Sequence, residues 1–306
     1  MRMVVILVIL AACLAALVFG GNYALRLATI FAMYATLALS WNIIGGLAGY
    51  PSFATAAFFG LGTYASAILQ SSGMPMVFAW LLGGIIAAGF AALIGLAILH
   101  LKGHYFAIAS LALVEVVREL VNINDRLTGG GMGLNLPITH GSVTQQAVYF
   151  LGAMATLALI TLLSAAAVQR GKLGFALRCI QQNEDAAVML GVNARLYKAA
   201  AFTLSAVFPG IAGGIYASWV HYIDPSDVFD ILLSVKPLVM VLVGGLGTLF
   251  GPVVGAAVFL GLEEAVWRSF LTVHAAVLGA LIVALILFLP NGLMSIARRL
   301  PKAGQA

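Results

Sequence analysis

Long unbroken runs of apolar side chains are the feature that most limits what this chain can fold into. A helix needs about 17–25 mostly apolar residues to cross the hydrocarbon core of a bilayer. Roughly ten such runs can be read along the sequence, near residues 3–20, 25–46, 53–70, 76–99, 105–122, 147–168, 198–219, 230–247, 250–267 and 274–290. Only 8% of the residues are charged, against about 25% in a soluble domain whose surface faces water. So few charges cannot cover a globule of 306 residues. The expected fold is therefore all-α: a polytopic transmembrane helical bundle of about ten crossings, one transmembrane domain over 1–306. Met1–Gly20, with Arg2 ahead of its apolar run, is read as the first crossing and not as a cleaved signal.

The basic residues give an orientation. With the N-terminus inside, Arg2, Lys102, Arg170, Lys172, Arg178, Arg195, Lys198, Arg298, Arg299 and Lys302 fall inside, and only Arg26, Arg126 and Arg268 fall outside. That asymmetry follows the positive-inside rule and puts both termini in the cytoplasm. No face carries a continuous basic run, so nucleic acid is not an expected partner; membrane lipid is.

Two segments outside the apolar runs stand out. Residues 123–146 form an external loop with Thr128-Gly129-Gly130-Gly131-Met132-Gly133. Residues 169–197 form the longest internal loop. A short amphipathic helix is predicted there, starting near Asn183 with Glu184 and Asp185 in its first turn, where the helix dipole favours acids. Its apolar positions are Ala186, Ala187, Leu190 and Val192, and Gly191 ends it.

Glycine is dense at Gly45-Gly46-Leu47-Ala48-Gly49 and again at Gly244-Gly245-Leu246-Gly247 with Gly251-Pro252. Each cluster precedes a small-then-aromatic stretch, so the two read as a weak internal repeat or as a coincidence in a Gly/Ala-rich chain. Paired glycine-interrupted segments in a transporter point to the solute path. Asn42, inside an apolar run, can serve a solute or a neighbouring helix. Glu115 and Arg118, three apart on one helix, can pair along its face. Charges at membrane depth face the bundle interior or a water-filled cavity. These two either fix helix rotation or sit beside the path. Lys236, followed by Pro237, either reaches for the interface or meets an acid on a neighbour, and Glu263 with Glu264 are read as interfacial.

No stretch has the Gly-rich turn with Lys and Ser or Thr that cradles phosphates. His100 and His104 lack a third ligand nearby, Cys13 and Cys179 read as separate thiols, and no nucleophile–base pair is visible. Neither an enzyme nor a metal site is expected.

Taken together, Leu39-Ser40-Trp41-Asn42, Gly45 to Gly49, Ser52-Phe53, Ala56 to Tyr64, Lys102-Gly103, Tyr105 to Ile108, Glu115, Arg118, Leu127 to Gly130, Arg178 to Gly191, Tyr197-Lys198, Leu242 to Pro252 and Pro290 to Leu293 resemble the LivM-type permease subunit of branched-chain amino acid ABC importers. The resemblance spans nearly the whole chain. It implies a subunit that forms half of a translocation pathway, binds no cofactor, and leaves ATP hydrolysis to partner subunits. The implied partners are a second homologous permease, two ATP-binding-cassette ATPase subunits and a periplasmic amino-acid-binding protein, all at a bacterial inner membrane. Arg178, Glu184, Asp185, Ala186, Ala187 and Gly191 would form the coupling to the ATPase. Asn42, Gly49, Ser52, Thr55, Glu115, Arg118, Lys236 and Gly245 would border the pathway. Tyr50, Pro51, Ala54, Thr55 and Met132 depart from the family pattern and leave the solute open among branched-chain amino acids, other amino acids, short amides and urea. The competing class is a self-sufficient secondary transporter or channel, with Glu115, Arg118 and Lys236 as its only candidate relay.

Overall fold

The computed structural model describes residues 21–137, 142–269, 279 and 292–294. The expected crossings near 3–20 and 274–290, and Cys13, lie outside these. Each of the other eight apolar runs is a helix: α1 (Asn22–Trp41), extended by five residues of π-helix (Asn42–Gly46), α2 (Thr55–Ser71), α3 (Met76–Ile98), α4 (His104–Ile123), α6 (Val143–Arg170), α9 (Ala194–Val220), α11 (Leu232–Gly244) and α12 (Gly251–Ser269). Short helices fill the connections: α5 (Asp125–Thr128), α7 (Lys172–Gln182), α8 (Glu184–Met189) and α10 (Pro225–Val228). Among the described residues the only strands are β1 (Leu134–Asn135) and β2 (Tyr222–Ile223), paired antiparallel with Leu134 opposite Ile223.

Helix boundaries moved where polar caps act. α6 begins ahead of its apolar run because the Ser142 hydroxyl accepts from the Gln145 amide while the Gln145 side chain returns to the Ser142 amide, satisfying two otherwise orphan donors. Asn193 caps α9 through the Leu196 amide at 3.1 Å. α11, at 13 residues, rises only about 20 Å, short of a core about 30 Å thick.

Among the described residues, four helices are long and apolar enough to cross a membrane by length and composition: Asn22–Gly46, Met76–Ile98, Val143–Arg170 and Ala194–Val220. Their surroundings differ. α3 has the highest mean hydropathy yet is the least buried, and it turns Val77, Phe78, Leu81, Ile85, Leu93 and Leu96 outward. In water such a face would be costly, about 25 cal/mol per Å² exposed, so it suits an apolar surrounding. α1 is the most enclosed of the four and lies against α6, α9, α11 and α12.

Lipid removes the hydrophobic drive between helices, so association rests on close packing and hydrogen bonds. α9 packs against α2 and α3 through glycine. A Cβ on Gly62 would fall 2.1 Å from the Gly210 carbonyl oxygen, and one on Gly213 would fall 2.1 Å from that of Phe59. At the same seam Trp80 Nε1 donates to Ser218 Oγ at 2.8 Å, Ser218 Oγ donates to Gln70 Oε1 at 2.9 Å, and Gln70 Nε2 donates to Ser66 Oγ at 2.9 Å. Tyr50, Phe106, Phe202 and Phe58 make edge-to-face contacts with ring centres 5.2–6.0 Å apart, a favoured aromatic geometry.

Candidate functional site

The two glycine-rich interruptions, about 200 residues apart in sequence, meet in space. Helical hydrogen bonding slips into a π turn at Asn42–Gly46 and stops at Gly244. Backbone freed in a membrane must be paired inside the protein, at several kcal/mol for each group left bare. Asn42 supplies that pairing. Its Nδ2 donates to the Thr248 carbonyl at 2.9 Å and its Oδ1 accepts from the Gly247 amide at 3.0 Å. Of the two readings of Asn42, the geometry gives its amide to the neighbouring segment. The backbones of Gly46 and Gly247 are in direct contact, and Gly292 rests on Gly244 and Gly245. Ser52 accepts from Trp41 Nε1 at its carbonyl, 2.6 Å, and Thr55 is the buried first residue of α2. Asn42, Gly49, Ser52, Thr55 and Gly245 therefore lie on or beside these two interruptions.

Below them sits the 169–197 segment. The Asn183 side chain accepts from the Ala186 amide at 3.0 Å and caps α8. Glu184 and Asp185 fill its first turn, and Gly191 leaves it at φ +87°, a left-handed angle that side chains resist. The helix, its start and its stop are as the sequence reads. Of its expected apolar positions, Ala187 and Val192 pack against the core while Ala186 and Leu190 are exposed; Val188, Met189 and Leu190 are 53%, 87% and 82% exposed, and Phe175 of α7 is 70% exposed. Arg178 donates to the Gln169 carbonyl at 2.7 Å, a cation at the C-terminus of α6 where the dipole favours it. Gln169 Nε2 reaches the Gly247 carbonyl at 3.4 Å, Gln181 Nε2 reaches that of Gly46 at 3.3 Å, and Gly49 packs on the Gln181 side chain. The loop thus touches both interruptions.

Lys198, read in the sequence as one more basic residue of the internal loop, is 3% exposed. Its Nζ donates to Glu184 Oε1 at 2.7 Å, to the Leu99 carbonyl at 2.9 Å and to the Tyr50 hydroxyl at 3.0 Å. Tyr50 in turn donates to Glu184 Oε2. Burial alone raises the Glu184 carboxyl, but hydrogen bonds from Lys198 and Tyr50 and the charges of Lys198 and Lys102 outweigh it. They hold that carboxyl below its ordinary 4.5. The available sequence signal was a lysine already inside the apolar periodicity of α9, followed by Ala199, Ala200 and Ala201.

The charges at membrane depth separate into two places. Lys236 Nζ meets Glu263 Oε1 of α12 at 2.7 Å and lies 5.5 Å from the centre of the Tyr34 ring. Of the two readings of Lys236, the structure gives it an acid on a neighbour; the reading of Glu263 as merely interfacial is corrected. Both line a cavity of roughly 1040 Å³ at the opposite end of the bundle from α8, with Arg26, Asp227, Asp230 and Trp219 also in its wall. Glu115 and Arg118 do pair, at 3.3 Å. Their side chains are 46% and 39% exposed on α4, so the expectation that they face the interior of this chain or its cavity does not hold.

Apolar helices on every side, two touching interruptions at one end and a charged cavity at the other define a multi-pass membrane protein of the transporter kind. Residues 23–289 match the family described as "Branched-chain amino acid transport system / permease component", and the chain belongs to that family of transport permeases. It is 28% identical over 299 residues to the high-affinity branched-chain amino acid transport system permease protein LivM of Escherichia coli (strain K12), covering 89% of this chain and 70% of that one. It is 23% identical over 294 residues to LivH of the same strain, covering 87% and 92%. It is 23% identical over 318 residues to the probable branched-chain amino acid transport permease protein LivM of Methanocaldococcus jannaschii, covering 86% and 91%. No solved structure matches the chain.

Proposed function

We propose that this chain is the permease subunit of an ATP-binding-cassette importer for branched-chain or related amino acids and forms half of its translocation pathway. One observation carries the reading: α8 offers an exposed apolar tip, Val188–Leu190, at one end, while its other end is fastened to the helix interruptions. A separate ATPase gripping that tip can move the interruptions. Two ATPase subunits would hydrolyse ATP in the cytoplasm, a second homologous permease would complete the path, and a periplasmic binding protein would deliver solute to the Lys236 cavity. The chain itself would bind no cofactor. The bundle would lie in a bacterial inner membrane with about ten crossings and both termini cytoplasmic. The basic residues gathered around 169–198 support that orientation, since this end would be the cytoplasmic one. Arg178, Glu184, Asp185, Ala186, Ala187 and Gly191 would couple to the ATPase. Asn42, Gly49, Ser52, Thr55, Gly245 and Lys236 would border the path within this subunit, and Glu115 and Arg118 would do so only where the second permease covers α4.

The Lys236–Glu263 ion pair favours a second reading, a secondary transporter with its own charge relay. Purification of the tagged chain from native membranes in mild detergent, followed by mass spectrometry, separates the two. Stoichiometric recovery of an ATPase and a second permease is expected. A chain that purifies alone, with uptake that survives ATP depletion and collapses with the proton gradient, would put the secondary transporter first.

A further inference from the structure

An ammonium group has three donors, and all three of Lys198 are directed at protein. They reach three separate places: Glu184 at the start of α8, the Leu99 carbonyl just past the end of α3, and Tyr50 just past the π turn that ends α1. Lys198 itself stands in the first turns of α9. Tyr50 closes the figure by donating to the second oxygen of Glu184, so neither carboxylate oxygen is spare. α8 has six residues and reaches α9 through Leu190–Asn193 only. Ala187 packs into the core, and Glu184, held on both oxygens, adds the polar attachment at the start of the helix. The second ion pair of α8, Lys102 to Asp185 at 3.0 Å, has side chains 56% and 80% exposed and holds little in water.

From this we infer that Lys198 is the positioning residue through which α8 moves the α1 interruption and α9 as one piece. The inference rests on the importer reading and adds to it the part that carries motion from loop to membrane. A push on the exposed tip of α8 is delivered by Glu184 to Tyr50, four residues beyond the π turn. A π turn is a place where a helix can shift its hydrogen-bond register. It is delivered equally to α9, whose glycine seam holds α2 and α3.

The test compares wild type, Lys198→Met, Glu184→Gln and the double variant, each as full-length chain with the partners that co-purify with it. In proteoliposomes, ATP hydrolysis and uptake of radiolabelled leucine are measured on the same preparation. Each single variant should keep at least about half of the hydrolysis and lose about tenfold or more in leucine taken up per ATP. The double variant should be no worse than the poorer single one, because both break one connection. Unchanged uptake per ATP in Lys198→Met, or losses that multiply in the double variant, would overturn the inference. A wild-type preparation without ATPase counts against the importer reading instead, and one with ATPase but no leucine uptake counts against leucine as the solute. Hydrogen exchange on the detergent-solubilised full chain decides the attachment independently of partners and solute. Exchange across 184–189 should rise about tenfold or more in Lys198→Met, and unchanged protection there would sink the inference.

Discussion

The Ser40 hydroxyl donates to the Ser205 carbonyl at 2.8 Å, bridging α1 to α9. Pro209 stands inside α9, four residues after Ser205. A proline lacks the amide that would have bonded that carbonyl, so a hydroxyl from the neighbouring helix takes its place, as lipid-embedded backbone requires. Ser40→Ala should leave the carbonyl buried and bare and cost about 1–3 kcal/mol, read as a lower unfolding temperature in detergent. Pro209→Ala should return most of that loss. If the serine variant melts with wild type, the bridge is not what satisfies Ser205.

Asn42 holds Gly247 and Thr248 by one hydrogen bond each. Asn42→Leu keeps the size and removes both, leaving an amide and a carbonyl to find other partners. Hydrogen exchange at residues 245–250 should accelerate about tenfold or more, with a stability loss of about 1–3 kcal/mol. Unaltered exchange there would mean that the junction stands without the asparagine.

Gly62 tolerates no side chain, given the 2.1 Å approach of the Gly210 carbonyl. Gly62→Val should force α2 from α9 at a cost of about 1–3 kcal/mol or more, and membrane levels of the protein should fall. Gly89 has nothing within 4 Å of its missing Cβ. Gly89→Val on the same type of helix should accumulate normally, which makes it the control for general glycine effects.

Lys236 and Glu263 are a partly buried pair, 22% and 30% exposed. Removing one partner strands the other, at about 3–5 kcal/mol for a fully buried pair and less here. Lys236→Met should lower the unfolding temperature, and Lys236→Met with Glu263→Leu should recover much of it. A double variant as unstable as the single one would show that the lysine acts through other contacts.

The pH dependence of the α8 attachment has a definite sign. The folded Glu184 carboxyl is held below its ordinary 4.5, so its contribution is complete above that value and is lost as pH falls through the lowered one. Unfolding temperatures of wild type and Glu184→Gln should therefore differ by a constant amount from about pH 8 down to about pH 5 and converge in stronger acid. A difference that vanishes already near pH 6 would contradict the arrangement.

Much of this protein could be read from its sequence because the relevant information is local. Run length and apolarity decide whether a helix can sit in a bilayer, so the helices among the described residues fall where eight of the apolar runs do. Asn183, Glu184 and Gly191 announce the limits of α8 because caps and left-handed turns depend on a few adjacent residues. Partners of polar groups depend instead on which helices lie side by side. Asn42 had two open readings until the second glycine cluster was brought against it. Glu263 read as interfacial until Lys236 faced it, and Lys198 read as a loop cation until Tyr50, Leu99 and Glu184 closed around it. Glu115 and Arg118 kept their local pairing, as i,i+3 neighbours must, while only the packing of α4 could decide that they point outward. Composition and periodicity thus determined a helical membrane protein and its amphipathic loop. Tertiary structure alone decided what these buried polar groups hold, since in a low-dielectric interior an unpaired donor or charge is costly and chain order does not reveal the partner that meets it.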